Sequence, residues 1–94
     1  MTLIGQDKID AFVRRNVQAR KPMQAWVAEV KNAQWKTSQD IKNRYRSADF
    51  LRNNRVIFNV KGNSYRLVAK VAYQTGVVFV EWIGTHADYD KKKF

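Results

Sequence analysis

The sequence predicts an α+β domain: two or three N-terminal helices packed on one face of a small antiparallel β-meander, with a short C-terminal segment after it. Three observations lead there. Apolar residues recur at helical spacing through the N-terminal part of the chain, and they alternate with polar ones through its second half. Short turn-forming groups, Lys61-Gly62-Asn63 and Gln74-Thr75-Gly76, divide the alternating part into strands.

The elements follow in order. Ile9, Phe12, Val13 and Val17 share the apolar face of a first helix, with Arg14 and Arg15 on the other side. Arg20 and Lys21 mark a break. Pro22 suits the first turn of a second helix, since a helix start leaves its N–H groups unpaired anyway. Met23, Trp26, Val27 and Val30 form the stripe of that helix, which is expected to end between Asn32 and Trp35. Thr37 with Asp40 three residues later resembles a capping box, so a short helix or irregular turn is expected over Ser38 to Arg46. After Asn53-Asn54 the period becomes two. Strands are expected over Arg55 to Val60, Ser64 to Tyr73 and Val77 to Thr85. Val56, Phe58, Val60, Tyr65, Leu67, Ala69, Val71 and Tyr73 belong to the inner face, with Trp26 and Trp35 packing against it. The outer face then presents Asn59, Arg66 and Lys70 to solvent or to a ligand.

A chain of 94 residues is expected to form one domain, residues 1–94. Eighteen Lys and Arg against eight Asp and Glu give a net charge of +10. Such an excess repels itself in a compact fold and implies a polyanionic partner, nucleic acid before an anionic membrane surface. There is no cysteine, hence no disulfide framework and no thiolate chemistry. The segment Met1 to Asp10 carries Asp7 and Lys8 and does not read as a secretory signal. No apolar run is long enough to span a bilayer. A cytoplasmic protein without membrane contact is expected.

A single histidine, no cysteine and scattered carboxylates point away from a metal site, and no cofactor is expected. Gly62 is isolated, so no Gly-rich phosphate loop is present. Asp88 and Asp90 are read as standing alone. What remains is Asn59-Val-Lys61-Gly-Asn63-Ser-Tyr65-Arg66 and, further on, Gly84-Thr85-His86-Ala87-Asp88-Tyr89-Asp90-Lys91. Metal-free RNA cleavage needs a base for the ribose 2′-hydroxyl, an acid for the leaving 5′-oxygen and cations for the phosphorane. His86 suits acid or base, because histidine titrates near neutrality. Arg66 suits bidentate contact with phosphate, Lys61 or Lys91 a point charge, and Tyr89 base stacking or proton relay. Asn59, Asn63, Lys70, Arg44, Arg46, Arg55, Lys92 and Lys93 are candidate RNA contacts. Each has an ordinary alternative: a surface histidine, an exposed strand arginine, a solvated tail at Lys91 to Lys93.

The two motifs together resemble the HigB branch of the RelE-like toxins, and the similarity in element order runs through essentially the whole chain. The resemblance implies an endonuclease of messenger RNA, commonly acting on messages being translated, whether ribosome-associated or free. It also implies neutralisation by a helix-turn-helix, HigA-like antitoxin, with DNA contacted only through the toxin–antitoxin complex. It favours Asn59, Lys61, Asn63 and Arg66 in the first motif and His86, Tyr89 and Lys91 in the second. An antitoxin is expected to bring acidic side chains to Arg44, Arg46, Arg52 and Arg55. Glu81 is an awkward neighbour for phosphate if it shares the active face. The alternative readings are a non-catalytic RNA- or ribosome-binding module and, third, a transcriptional co-repressor.

Overall fold

A computed structural model of the chain describes residues 1–92. The elements are β1 (Thr2–Ile4), α1 (Gln6–Arg15), a 3-10 turn (Val17–Ala19), α2 (Arg20–Asn32), α3 (Ser38–Arg44), β2 (Asp49–Phe50), β3 (Arg55–Val60), β4 (Tyr65–Ala72), β5 (Val77–Thr85) and α4 (His86–Lys91). The α+β class and the β3–β4–β5 meander match the sequence expectation, and the C-terminal segment is a short helix. The sheet is larger than a meander, however. It has five strands in the order β1-β5-β4-β3-β2, with β1 parallel to β5 and β2 antiparallel to β3. Strands of three and two residues are too short to show a period of two, so neither flank was visible in the alternation.

Helices α1, α2 and α3 cover one face. Ile9 and Phe12 of α1, Met23, Trp26 and Val30 of α2 and Ile41 of α3 form one core with Val56, Phe58, Leu67, Ala69, Val71, Val78 and Val80. Phe58 is its centre: Trp26 meets it edge-on at 5.3 Å, Trp35 stacks on it at 6.1 Å and Tyr45 meets it edge-on at 5.2 Å. Both tryptophans therefore pack as expected. Tyr65 is buried against Phe12, with ring centres 5.5 Å apart. Truncating a ring so placed costs about 3–5 kcal/mol.

The helix boundaries need one correction. The break precedes Arg20 and Lys21, which begin α2. It falls at Asn16, whose backbone N–H reaches the Phe12 and Val13 carbonyls and whose Nδ2 donates to the Phe12 carbonyl at 3.1 Å. An asparagine that closes the last turn on itself stops the helix there. Val17 consequently leaves the apolar stripe and is 67% exposed.

The capping box at α3 is complete. Thr37 Oγ1 accepts from the Asp40 N–H, and Asp40 Oδ2 accepts from the N–H groups of Lys36 at 2.9 Å and Thr37 at 3.1 Å. These bonds, that from Lys36 first, hold the Asp40 carboxyl below its ordinary value of 3.8. A carboxyl lowered by folding stabilises the fold above its unfolded value and stops doing so as pH falls through its native one. Thr37→Ala should lower stability by about 1 kcal/mol, a fall in Tm of roughly 4–8 °C in a domain of this size. Asp40→Asn should also be less stable near neutral pH, and its deficit in urea unfolding should shrink as the pH falls below the carboxylate range.

Candidate active site

On the sheet face away from α1, α2 and α3, strand register sets up three rungs. Asn59, Arg66 and Gly84 make the first, Ile57, Val68 and Trp82 the second, and Arg55, Lys70, Phe79 and Ile4 the third. Ile57 and Val68 are buried, so the middle rung gives the polar one an apolar neighbour rather than open water. Charge placed beside such a patch is less screened than charge on an ordinary wet face.

Arg66, on the central strand, is held on several sides. Its Nε donates to Asn59 Oδ1 at 3.1 Å, its Nη2 lies 2.9 Å from His86 Nε2, and its guanidinium carbon sits 4.6 Å from the centre of the Tyr89 ring. Asn59 is oriented in turn by donating Nδ2 to the Ser47 carbonyl at 2.9 Å. The remaining N–H groups of the guanidinium fork, including both on Nη1, are left for an anion.

His86, Tyr89 and Asp90 come from α4. Thr85 caps this helix by accepting the Asp88 N–H at 3.1 Å, and the His86 N–H donates to the Ser64 carbonyl at 3.2 Å, tying α4 to the turn after β3. His86 Nδ1 lies 3.2 Å from Asp90 Oδ2, and the histidine side chain is 39% exposed. Asp90 thus belongs to the cluster and does not stand alone as expected. The helical spacing of four residues was the available signal.

Trp82 was also missed, and the reason is a β-bulge. Ala69 pairs with Val80 but Val68 with Trp82, which makes Glu81 an extra residue in β5. Simple alternation from Val78 and Val80 would send Trp82 inward; the bulge turns it outward and Ile83 towards the core. The indole then lies over Gly84. A Cβ there would stand 2.5 Å from Trp82 Cζ2 and 2.6 Å from Cη2, so only glycine leaves room for the ring. Tyr89 lies 6.0 Å from Trp82, and Lys92 Nζ stands 5.9 Å from the indole centre.

The other candidates divide. Lys61 and Asn63 lie exposed in the β3–β4 turn next to Ser64, with Lys61 in the left-handed conformation at φ 54°. Lys91 and Lys92 are exposed at the end of α4, Arg46 adjoins Ser47, and Lys70 is exposed on the third rung. Arg55 instead pairs with Glu81 at 2.8 Å across the intervening β4, which gives that carboxylate an internal partner. Arg44 pairs with Glu29 of α2 and lies over the Tyr45 ring at 5.1 Å. The Tyr45 hydroxyl is pushed well above its ordinary value, first by burial and then by its hydrogen bond to Glu29. Lys93 lies outside the described residues. Among the described residues no three His, Cys, Asp or Glu side chains gather as a metal site would require, and no helix is long and apolar enough to cross a membrane.

The layers and the site define a basic α+β protein of RelE-like architecture, with an arginine–histidine–tyrosine cluster on its open sheet face. A family model described as HigB toxin, the RelE-like toxic component of a toxin–antitoxin system, matches residues 19–92, and the chain belongs to this family. It is therefore the toxin of a toxin–antitoxin system, and an antitoxin partner follows from that membership. The match contains both sequence motifs and leaves out β1 and α1. No curated protein matches the chain.

Gly84→Ala should displace the Trp82 indole into solvent while the chain stays folded by circular dichroism. Trp26 and Trp35 are buried, so the resulting red shift of emission belongs to Trp82. An unchanged spectrum in Gly84→Ala would mean that the ring does not depend on the missing side chain.

Proposed function

We propose that this toxin is a metal-independent endoribonuclease that cleaves messenger RNA by attack of a ribose 2′-hydroxyl on the adjacent phosphate. The observation that carries the proposal is Arg66: a half-buried guanidinium held between Asn59, His86 and Tyr89, with N–H groups left over, on the sheet face opposite α1, α2 and α3. In this reading Arg66 holds the phosphorane and Lys61 or Lys91 adds a point charge. His86 acts as the acid or the base, and Tyr89 stacks on a base or positions the nucleotide. Asn59 and Asn63 assist at the phosphate, with Lys70, Arg46, Arg55, Lys92 and Lys93 guiding the strand and Arg44 contributing from further off. The net charge of +10 supplies long-range attraction to RNA or to a ribosome.

The 94 residues act as one domain in the cytoplasm, where translated messages are found. A helix-turn-helix antitoxin restrains the enzyme, and DNA is reached only through their complex. Arg44 and Arg55 already have carboxylate partners within the chain, so Arg46 and Arg52 are the more available of the four arginines for acidic groups of an antitoxin.

Purified protein should cut naked RNA in EDTA, leaving a 2′,3′-cyclic phosphate or its 3′-phosphate hydrolysis product. Arg66→Ala should slow cleavage by about 3 kcal/mol of barrier, a factor of roughly one to two hundred. His86→Ala should slow it by roughly 10²–10⁴-fold. Expression alone should arrest growth, and co-expression of an adjacent helix-turn-helix protein should restore it. RNA that is bound in a salt-dependent manner but never cut, on ribosomes or off them, would identify a non-catalytic binding module instead.

A further inference from the structure

The contacts of His86 select its tautomer. Arginine has no lone pair to offer and stays protonated, so the ring nitrogen 2.9 Å from Arg66 Nη2 must be the acceptor. The other ring nitrogen, 3.2 Å from Asp90 Oδ2, must then carry the hydrogen and donate it to the carboxylate. Rotating the ring by half a turn would place carbon atoms against both a guanidinium and a carboxylate, so the orientation is set by the network. An imidazolium would point N–H at N–H towards Arg66. In the neutral ring that these contacts fit, the Nε2 lone pair is taken up by the guanidinium and Nδ1–H faces Asp90.

We propose that Asp90 is a positioning residue that holds His86 as the Nδ1–H tautomer, and that Arg66 masks Nε2 until an RNA phosphate draws the guanidinium away. His86 then serves as the general base. This rests on the endonuclease reading and assigns the direction of proton transfer within it. A phosphodiester is a stronger acceptor for a guanidinium than a neutral imidazole, because it is charged and can take two parallel N–H bonds. Substrate binding itself therefore uncovers the base. Nε2 removes the 2′-hydroxyl proton, the O2′–P bond forms, the P–O5′ bond breaks, and the leaving 5′-oxygen takes a proton from water. The imidazolium, steadied by the Asp90 carboxylate, returns its proton to solvent.

His86 is the only histidine in the chain, so its imidazole nitrogens can be observed without assignment ambiguity. In ¹⁵N-labelled full-length protein, at a pH where the ring is neutral, two-bond ¹⁵N–¹H spectra should show Nδ1 protonated and Nε2 bare. Adding an uncleavable oligonucleotide with deoxyribose at the cleavage position should move the Nε2 resonance and leave the Nδ1–H in place. Asp90→Asn, which can turn its own N–H towards Nδ1, should bring in the Nε2–H form. It should also lower kcat by roughly 10- to 100-fold with little change in KM, and Asp90→Glu should recover part of the loss. An Nε2–H tautomer in the wild-type protein overturns the proposal, as does Asp90→Asn with native kcat and native tautomer. Failure of the wild-type protein to cut RNA would defeat the endonuclease reading; the tautomer of the free protein would still decide the role of Asp90.

Discussion

One extra residue in β5 decides what the open face of the sheet contains. Before Glu81, the even-numbered residues Val78 and Val80 point into the core; after it, Ile83 does, while Trp82 and Gly84 turn outward. The slip of half a strand period brings an indole and a gap beside Arg66. Its side chain also has a use, since Glu81 reaches across β4 to Arg55. A bulge can re-aim side chains locally because the partner strand continues its own alternation undisturbed. The helical face remains an ordinary apolar core, and the change of phase is felt on the other side.

The sheet's two faces thus solve different problems. The inner one has interlocked rings around Phe58, where stability comes from burial. The outer one must hold cations near each other in a chain of net charge +10. It does so unevenly. Arg55 is paired with a carboxylate, whereas Arg66 has an amide oxygen, an imidazole nitrogen and a ring face, none of them a carboxylate. Partners without full charge orient a guanidinium while leaving its charge available to an incoming anion. An acidic partner would have fixed Arg66 as firmly, but would have cancelled the field that a phosphate must feel.

How much was legible in the sequence depended on the range of the interaction. The boundaries of β3 and β5 and the Thr37 capping box are set by neighbours in the chain and could be read from it. Asn59, Arg66, His86 and Tyr89 were candidates by residue type, and the meander brings them together because β3, β4 and the end of β5 are adjacent. β1 was hidden because its partner lies at the far end of the chain, with Thr2 opposite Val77. Trp82 was hidden because a bulge is a property of two strands, and single-strand alternation gives the opposite face. Asp90 was set aside as solitary although it lies one helical turn from His86 in the same short helix.

That helix links stability to the site. A segment of six residues cannot hold helical structure in water by its own hydrogen bonds, because nucleation costs more than so few bonds return. What holds α4 is the Thr85 cap, the bond from His86 to the Ser64 carbonyl, the His86–Asp90 pair and the seating of Tyr89 under the Arg66 guanidinium. The last two involve the groups assigned here to phosphate and proton. The side chains of the candidate site are therefore also part of what keeps α4 in place. An anion that pulls Arg66 from His86 and Tyr89 takes support from α4 and returns it only by contacts of its own. An anion bound at Arg66 would thus bear on α4 as well as on the guanidinium, because helix and cation share the same contacts.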